Sequence, residues 1–211
     1  MKNSMKTKDK VTFFHSISFK ITLVVVLASM VCITANVTNA GNKAEEAVRG
    51  LNHEYLLSVA ENSAQTLSGI PDRQMTEDTR AGIISGVKME GIESSYTYLL
   101  DENGKILYHP MTDSIGQTVS NPPINDIVEK LKSSAVPEKG VIEYDLDGVK
   151  KTAAYAVTSQ KMIVVTTIDE SDIVDPVNHM VSSMVLVSII STIVCMIAAF
   201  IISRMLCIPI E

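Results

Sequence analysis

Ser95-Tyr96-Thr97-Tyr98-Leu99-Leu100-Asp101-Glu102-Asn103-Gly104-Lys105-Ile106-Leu107-Tyr108-His109 is the stretch that decides the fold. Two runs rich in aromatic and aliphatic residues, 95–100 and 105–109, flank a polar turn, which is the pattern of two antiparallel strands. Asn-Gly is a strong hairpin signal because a type I′ turn needs positive φ at both central positions. With Asn103-Gly104 as a two-residue turn, Tyr98 pairs with His109 and Leu100 with Leu107. Tyr96 then lies on the same face of the sheet.

Further along the chain, Pro122 to Ser134 reads as a helix, with Ile124, Ile127, Val128 and Leu131 at i, i+3, i+4 and i+7. After Pro137 and Gly140 come three strands, Val141–Leu146, Val149–Thr158 and Met162–Asp169. Turns at Asp147-Gly148 and near Ser159-Gln160 separate them. The first turn pairs Tyr144 with Lys151, and Ala153 and Tyr155 share that face. A two-residue turn at Ser159-Gln160 pairs Tyr155 with Val164 and Ala153 with Thr166. The opposite face would carry Ala154, Ala156, Ile163 and Val165, small enough in part for a helix to approach closely.

Toward the N-terminus, Thr76 to Glu90 carries Ile83, Ile84 and Val87 on one side, a short amphipathic helix. Gly69-Ile70-Pro71-Asp72 ends a longer helix over 43–68, whose stripe includes Val48, Leu51, Tyr55 and Val59. The element order predicts an α+β domain: a five-stranded, mainly antiparallel sheet with a long N-terminal helix and helices on one face.

That domain sits between two apolar runs. The 22 positions from Ile21 to Asn42 and the 23 from Val181 to Ser203 hold no charged residue. About 20 apolar residues cross the hydrocarbon core of a bilayer, so both qualify as spans. Thr34, Asn36, Thr38 and Asn39 dilute the first. Lys2, Lys6, Lys8, Lys10 and Lys20 precede it, and Arg204 follows the second. Positive flanks stay in the cytoplasm, which puts residues 43–178 outside and the protein in the cell membrane as a multi-pass chain. Thr38 and Ala40 before Gly41 also fit a cleavable signal peptide, and the uncleaved anchor is preferred because the helical pattern continues past Gly41.

Residues 43–178 hold 12 Lys and Arg against 22 Asp and Glu, a net charge of −10. Such acidity argues against nucleic acid or anionic lipid surfaces as partners of this segment. Cys32, Cys195 and Cys207 all lie in or beside the spans, so no disulfide framework supports the domain.

One face of the sheet collects Tyr144, Lys151, Tyr155 and Thr166, together with Tyr96, Tyr98 and His109. Tyrosines supply rigid walls and hydroxyls, while a lysine and a histidine attract a carboxylate. Converging polar groups on an apolar face are what a small-molecule site requires. Taken singly, each tyrosine is an ordinary core or edge residue and Lys151 a snorkelling side chain. Arg80 is a candidate carboxylate clamp, against the commoner outcome of an exposed helical arginine. Asp101 to Lys105 lacks the later glutamate of a calcium loop. His15, His53, His109 and His179 lack metal-ligand spacing. No phosphate loop, nucleophile elbow or zinc signature occurs, so no enzyme, catalytic residue, metal or cofactor is expected.

At Gly91-Ile92-Glu93-Ser94-Ser95-Tyr96-Thr97-Tyr98, then Asp101, Asn103-Gly104 and Leu107-Tyr108-His109-Pro110, the chain resembles the Cache sensor domain of methyl-accepting chemotaxis proteins. The likeness continues through Ile115-Gly116-Gln117, Val119 and Asn121, then Tyr144, Gly148, Lys151 and Tyr155, and ends at Asp169-Glu170. Thr152 departs from it where an aromatic residue is frequent, and Asp101 where serine is. The resemblance implies a single Cache (PAS-like) domain over 43–178 between transmembrane helices at 21–42 and 179–203, with residues 1–20 cytoplasmic. Arg204, Pro209 and Ile210 resemble the start of a HAMP linker over 204–211. It further implies a homodimer whose second membrane helix shifts to signal to a cytoplasmic kinase and adaptor. The expected ligand is a small organic acid, with charge from Lys151, walls from Tyr98, Tyr144 and Tyr155, and a hydrogen bond from His109. The sensor half of a histidine kinase or cyclic-dinucleotide enzyme is the alternative, and a non-signalling membrane-anchored binding module the second. Protease added to intact cells is expected to cut within 43–178 and spare the lysine-rich start. Protection of the central region would overturn this topology.

Overall fold

The computed structural model describes residues 17–133 and 138–206; the lysines at 2–10, His15, Ser134, Pro137, Cys207, Pro209 and Ile210 lie outside the described residues. The chain divides into two compact units: Ala44–Val177, and Met1–Lys43 with Asn178–Glu211.

The elements are α1 (Ile17–Ser68), α2 (Glu77–Ile84), β1 (Tyr96–Leu100), β2 (Ile106–Tyr108), α3 (Pro122–Lys132), β3 (Lys139–Leu146), β4 (Val149–Val157), β5 (Ile163–Asp169) and α4 (Glu170–Leu206). The five strands form one sheet in the order β2-β1-β5-β4-β3, with every neighbouring pair antiparallel. The domain is therefore α+β, with the long N-terminal helix that the sequence pattern predicts. α2 is shorter than expected. Thr76 caps its start by accepting the Thr79 amide at 3.2 Å, and it stops at Ile84, just before Gly86.

The hairpins decide which side chains share a face. At Asp147-Gly148 the φ values of 54° and 83° make the expected type I′ turn, and Tyr144 stands opposite Lys151. The other two hairpins differ from expectation. In the first, the Gly104 amide donates to the Asp101 carbonyl, and only Gly104 has positive φ, at 81°. Asp101 Oδ1 accepts the amides of Asn103 and Lys105 at 2.8 and 2.9 Å. This local capture favours a turn centred on Glu102-Asn103 followed by a glycine bulge over the two-residue turn. Leu99 still faces Tyr108, which keeps Tyr98 in register with His109, but Leu100 faces Ile106 instead of Leu107.

In the β4–β5 hairpin Lys161 takes the positive-φ position, at 61°, and its amide donates to the Thr158 carbonyl. The loop is thus three residues long, and the register moves by one. Tyr155 faces Val165, Ala153 faces Thr167 and Ala154 faces Thr166. Thr166 therefore leaves the tyrosine face, and Ile163 and Val165 join it.

Helices cover both faces, not one. On the first face, Leu56, Ala60, Ala64 and Leu67 of α1 pack on Leu99, Ala154, Ala156, Val164 and Ile168. On the second, Ile124, Ile127 and Val128 of α3 pack on Leu100, Ala153, Tyr155, Ile163 and Val165. The reason lies in β5, where every residue from Ile163 to Ile168 is buried. A strand apolar on both sides needs cover on both sides.

In the second unit, α1 and α4 are long and apolar enough to cross a membrane by length and composition. Thr34 and Asn36, which dilute the first run, donate to the carbonyls of Met30 and Cys32 at 2.9 and 2.8 Å. Ser183 and Ser188 likewise donate to His179 and Met184. Returning each polar group to the preceding turn leaves it satisfied in an apolar surround.

Ala154, fully buried under α1, sets how closely that helix lies on the sheet. Replacing it with leucine should lower unfolding free energy by about 1–3 kcal/mol through overpacking, read by chemical denaturation. Leu51→Ala, at a site 67% exposed, should cost within about 0.5 kcal/mol.

Candidate ligand-binding site

Cross-strand registers lay the candidate residues out in rows on the face that α3 partly covers. Tyr144, Lys151 and Asp169 form one row, Ile142, Ala153, Thr167 and Tyr96 the next, and Gly140, Tyr155, Val165 and Tyr98 the third. The sheet thereby brings side chains from four strands together around the small Ala153.

Lys151 is the charged centre. Its side chain is 11% exposed, its ammonium pairs with Asp169, and it lies 5.4 Å from the Tyr96 ring centroid, within cation–π range. Tyr96, Tyr98 and His109 form a ring cluster with centroids 5.2 to 6.1 Å apart, His109 standing edge-on to Tyr96.

The hydroxyls form a relay. Thr167 Oγ1 donates to the Thr152 carbonyl at 3.3 Å and lies 3.3 Å from the Tyr144 hydroxyl, which must then be the donor to it. Burial above all, with Tyr144 and Asp169 adding to it, pushes the Tyr96 phenol up to about 12. Burial also holds Tyr98 well above the ordinary tyrosine range. Both stay neutral hydroxyls at physiological pH.

His109 is buried, and its Nδ1 accepts the Met111 amide at 3.0 Å. The neutral ring therefore carries its proton on Nε2, leaving an N–H donor. Burial above all lowers its pKa below the ordinary histidine value.

Two candidates stand apart. The Tyr155 ring lies against Gly140, where an added Cβ would come within 2.9 Å of it, and packs in the core beneath α3. Burial raises its pKa while the Lys130 charge opposes this. Arg80 turns back to its own helix entrance, donating to the Met75 carbonyl at 3.2 Å; among the described residues it forms no hydrogen bond or ion pair with the tyrosine cluster. Thr166 bonds Thr97 at 2.9 Å on the α1 face. Sequence reasoning missed Thr167 and Asp169. A three-residue loop at 159–161 would have put both on the tyrosine face. Among the described residues no group of histidines, cysteines and carboxylates is arranged to hold a metal.

No protein-family model matches the chain, and no curated protein matches it. Similar solved structures include the extracellular domain of the putative histidine kinase mmHK1S-Z3, at 17% identity and TM-score 0.41 over 49% of this chain. The ligand-binding domain of the Pseudomonas aeruginosa PAO1 amino acid chemoreceptor PctB, in complex with L-Arg, matches at 20% identity and TM-score 0.33 over 46%. The Bacillus subtilis YkuI protein, with an EAL domain, matches at 13% and 0.39 over 62%. The overlaps span only 40%, 39% and 35% of those chains.

Because the native state holds the His109 pKa down, the unfolded chain takes up a proton near pH 6.5 that the folded one resists. Stability contributed by neutral His109 is present above that value and is lost as pH falls through it. His109→Asn should therefore shrink the drop in melting temperature between about pH 7.5 and about pH 5.5. An unchanged drop would remove His109 from the acid response.

Proposed function

We propose that this chain is the sensing part of a transmembrane receptor that binds a small organic acid outside the cell. Its ligand carboxylate meets Lys151, the hydroxyls of Tyr96, Tyr98 and Tyr144 wall the site, and His109 Nε2 donates a hydrogen bond. The observation that carries this reading is the convergence of Lys151, three tyrosines and His109 on one sheet face whose strand β5 continues directly into α4. α1 and α4 then act as the membrane helices, with residues 43–178 outside. A homodimer passes a small shift of α4 to cytoplasmic modules, a kinase and adaptor in the chemotaxis reading.

The Lys151–Asp169 pair narrows the ligand class. A carboxylate that takes Lys151 must part it from Asp169, leaving a half-buried carboxylate without its cation. Breaking one partner from such a pair is costly. A ligand that carries an amino group beside its carboxylate satisfies both residues at once. Amino-bearing acids are therefore favoured over plain ones.

Calorimetry of the full chain in nanodiscs, with a panel of carboxylates, amino acids, amines and nucleobases, tests this reading. Amino-bearing acids should raise the melting temperature most; a ligand at a hundred times its Kd stabilises by about 2.7 kcal/mol. Lys151→Met should abolish the shift. Stabilisation by amines or nucleobases, with none by carboxylates, would refute the class.

A further inference from the structure

β5 ends at Asp169 and α4 begins at Glu170, with no loop between them. Three acids in this short segment are each held by a different element. Asp169 pairs with Lys151 of β4. Glu170 Oε1 takes Arg49 Nη2 of α1 at 2.6 Å, with Lys150 Nζ 3.8 Å from its other oxygen. Asp172 Oδ2 accepts the hydroxyl of Ser94 at 2.6 Å and its amide at 3.3 Å.

Ser94 joins these contacts. Its Oγ also accepts the Asp169 backbone amide at 2.9 Å, so one side chain clasps both the last residue of β5 and the first turn of α4. It stands two residues before Tyr96, whose ring carries the Lys151 ammonium. A second feature makes the clasp matter. Pro176 lies inside α4 and has no amide to give the Asp172 carbonyl. The first turn of α4 is therefore tied to the helix by one ladder bond fewer, and leans on its side-chain anchors.

We propose that the Lys151–Asp169 pair and the Ser94 clasp form a latch on the first turn of α4. Closed, the pair holds Asp169 so that its amide meets Ser94 Oγ and Ser94 reaches Asp172. When the partner of Lys151 changes, Asp169 is released, the clasp loosens and the first turn of α4 comes free of the lead into β1. Ser94 is a positioning residue in this scheme. Only the trigger, a ligand group that takes Lys151, rests on the function proposed above, because substitution of Lys151 opens the latch without any ligand.

Hydrogen–deuterium exchange on the full chain in nanodiscs tests it. Lys151→Met should speed exchange of the amides at 170–175 about tenfold and leave those of α3 unchanged. Ser94→Ala should loosen the same amides, Ser94→Thr should restore protection through its retained hydroxyl, and the double variant should fall short of the product of the two effects. Asp169→Asn, which keeps side-chain shape while removing the charge, gives an independent opening should Lys151→Met fold poorly. Unchanged exchange at 170–175 in both pair-breaking variants, or independent multiplicative effects of Ser94 and Lys151, would overturn the latch. Glycine and acetate serve as separate probes of the trigger. Variants that loosen 170–175 while neither probe shifts the melting temperature would keep the latch and sink the ligand class.

Discussion

Burial of β5 on both faces is the constraint from which the arrangement of the soluble unit follows. Each residue from Ile163 to Ile168 is buried, so neither side of the central strand tolerates water. α1 takes one side because Ala154 and Ala156 let it come close, and α3 takes part of the other. Burial relaxes only at Asp169, which is half-buried beside Lys151. The candidate site is therefore where the two-sided core ends. Polar groups collect there because a charge deeper along β5 would carry a desolvation penalty that a single partner rarely offsets.

That position also joins the candidate site to the chain's continuation. The residue that holds Lys151 is the last of its strand, and the next begins α4. Candidate-site side chains and helix anchors are consecutive in sequence, so no long relay of packed residues is needed between them. Arg49, Lys151 and Ser94 each fix one acid of the junction from a different element. Lys151 and Ser94 meet at Asp169, one through its carboxylate and the other through its backbone amide, so those two contacts are coupled, while Arg49 holds Glu170 separately.

The sequence made the sheet legible because its turns are short and its apolar pattern is unbroken. Helix positions at 122–132 and the Asp147-Gly148 turn follow from spacing and from φ requirements that few residues meet. The face assignments of β5 were not legible. They depend on whether the chain between Thr158 and Met162 turns over two residues or three, and Lys161 in the positive-φ region carries no glycine or asparagine signal. A one-residue slip exchanges faces, which is why Thr166 was expected where Thr167 stands. The tyrosine and histidine cluster survived because β1 keeps its register at Leu99 despite the bulge after it. Charge alone singles out Arg80, and charge does not say which way a helix turns its side chains.

The hydroxyl relay bears on what the site can discriminate. Thr167 spends its proton on the Thr152 carbonyl, and Tyr144 gives its own to Thr167. Both protons are thus committed in one direction, toward the backbone of β4. A ligand group that meets Tyr144 finds an oxygen with lone pairs to offer, while His109 Nε2 and the Lys151 ammonium supply donors. Such a division suits a ligand with an acceptor end and a donor end, because a ligand of acceptors alone would leave the tyrosine oxygens unmatched and desolvated. The same polarity follows separately from the Lys151–Asp169 pair. Two independent features of the face, one ionic and one of neutral hydroxyls, therefore favour a molecule that is polar in both senses.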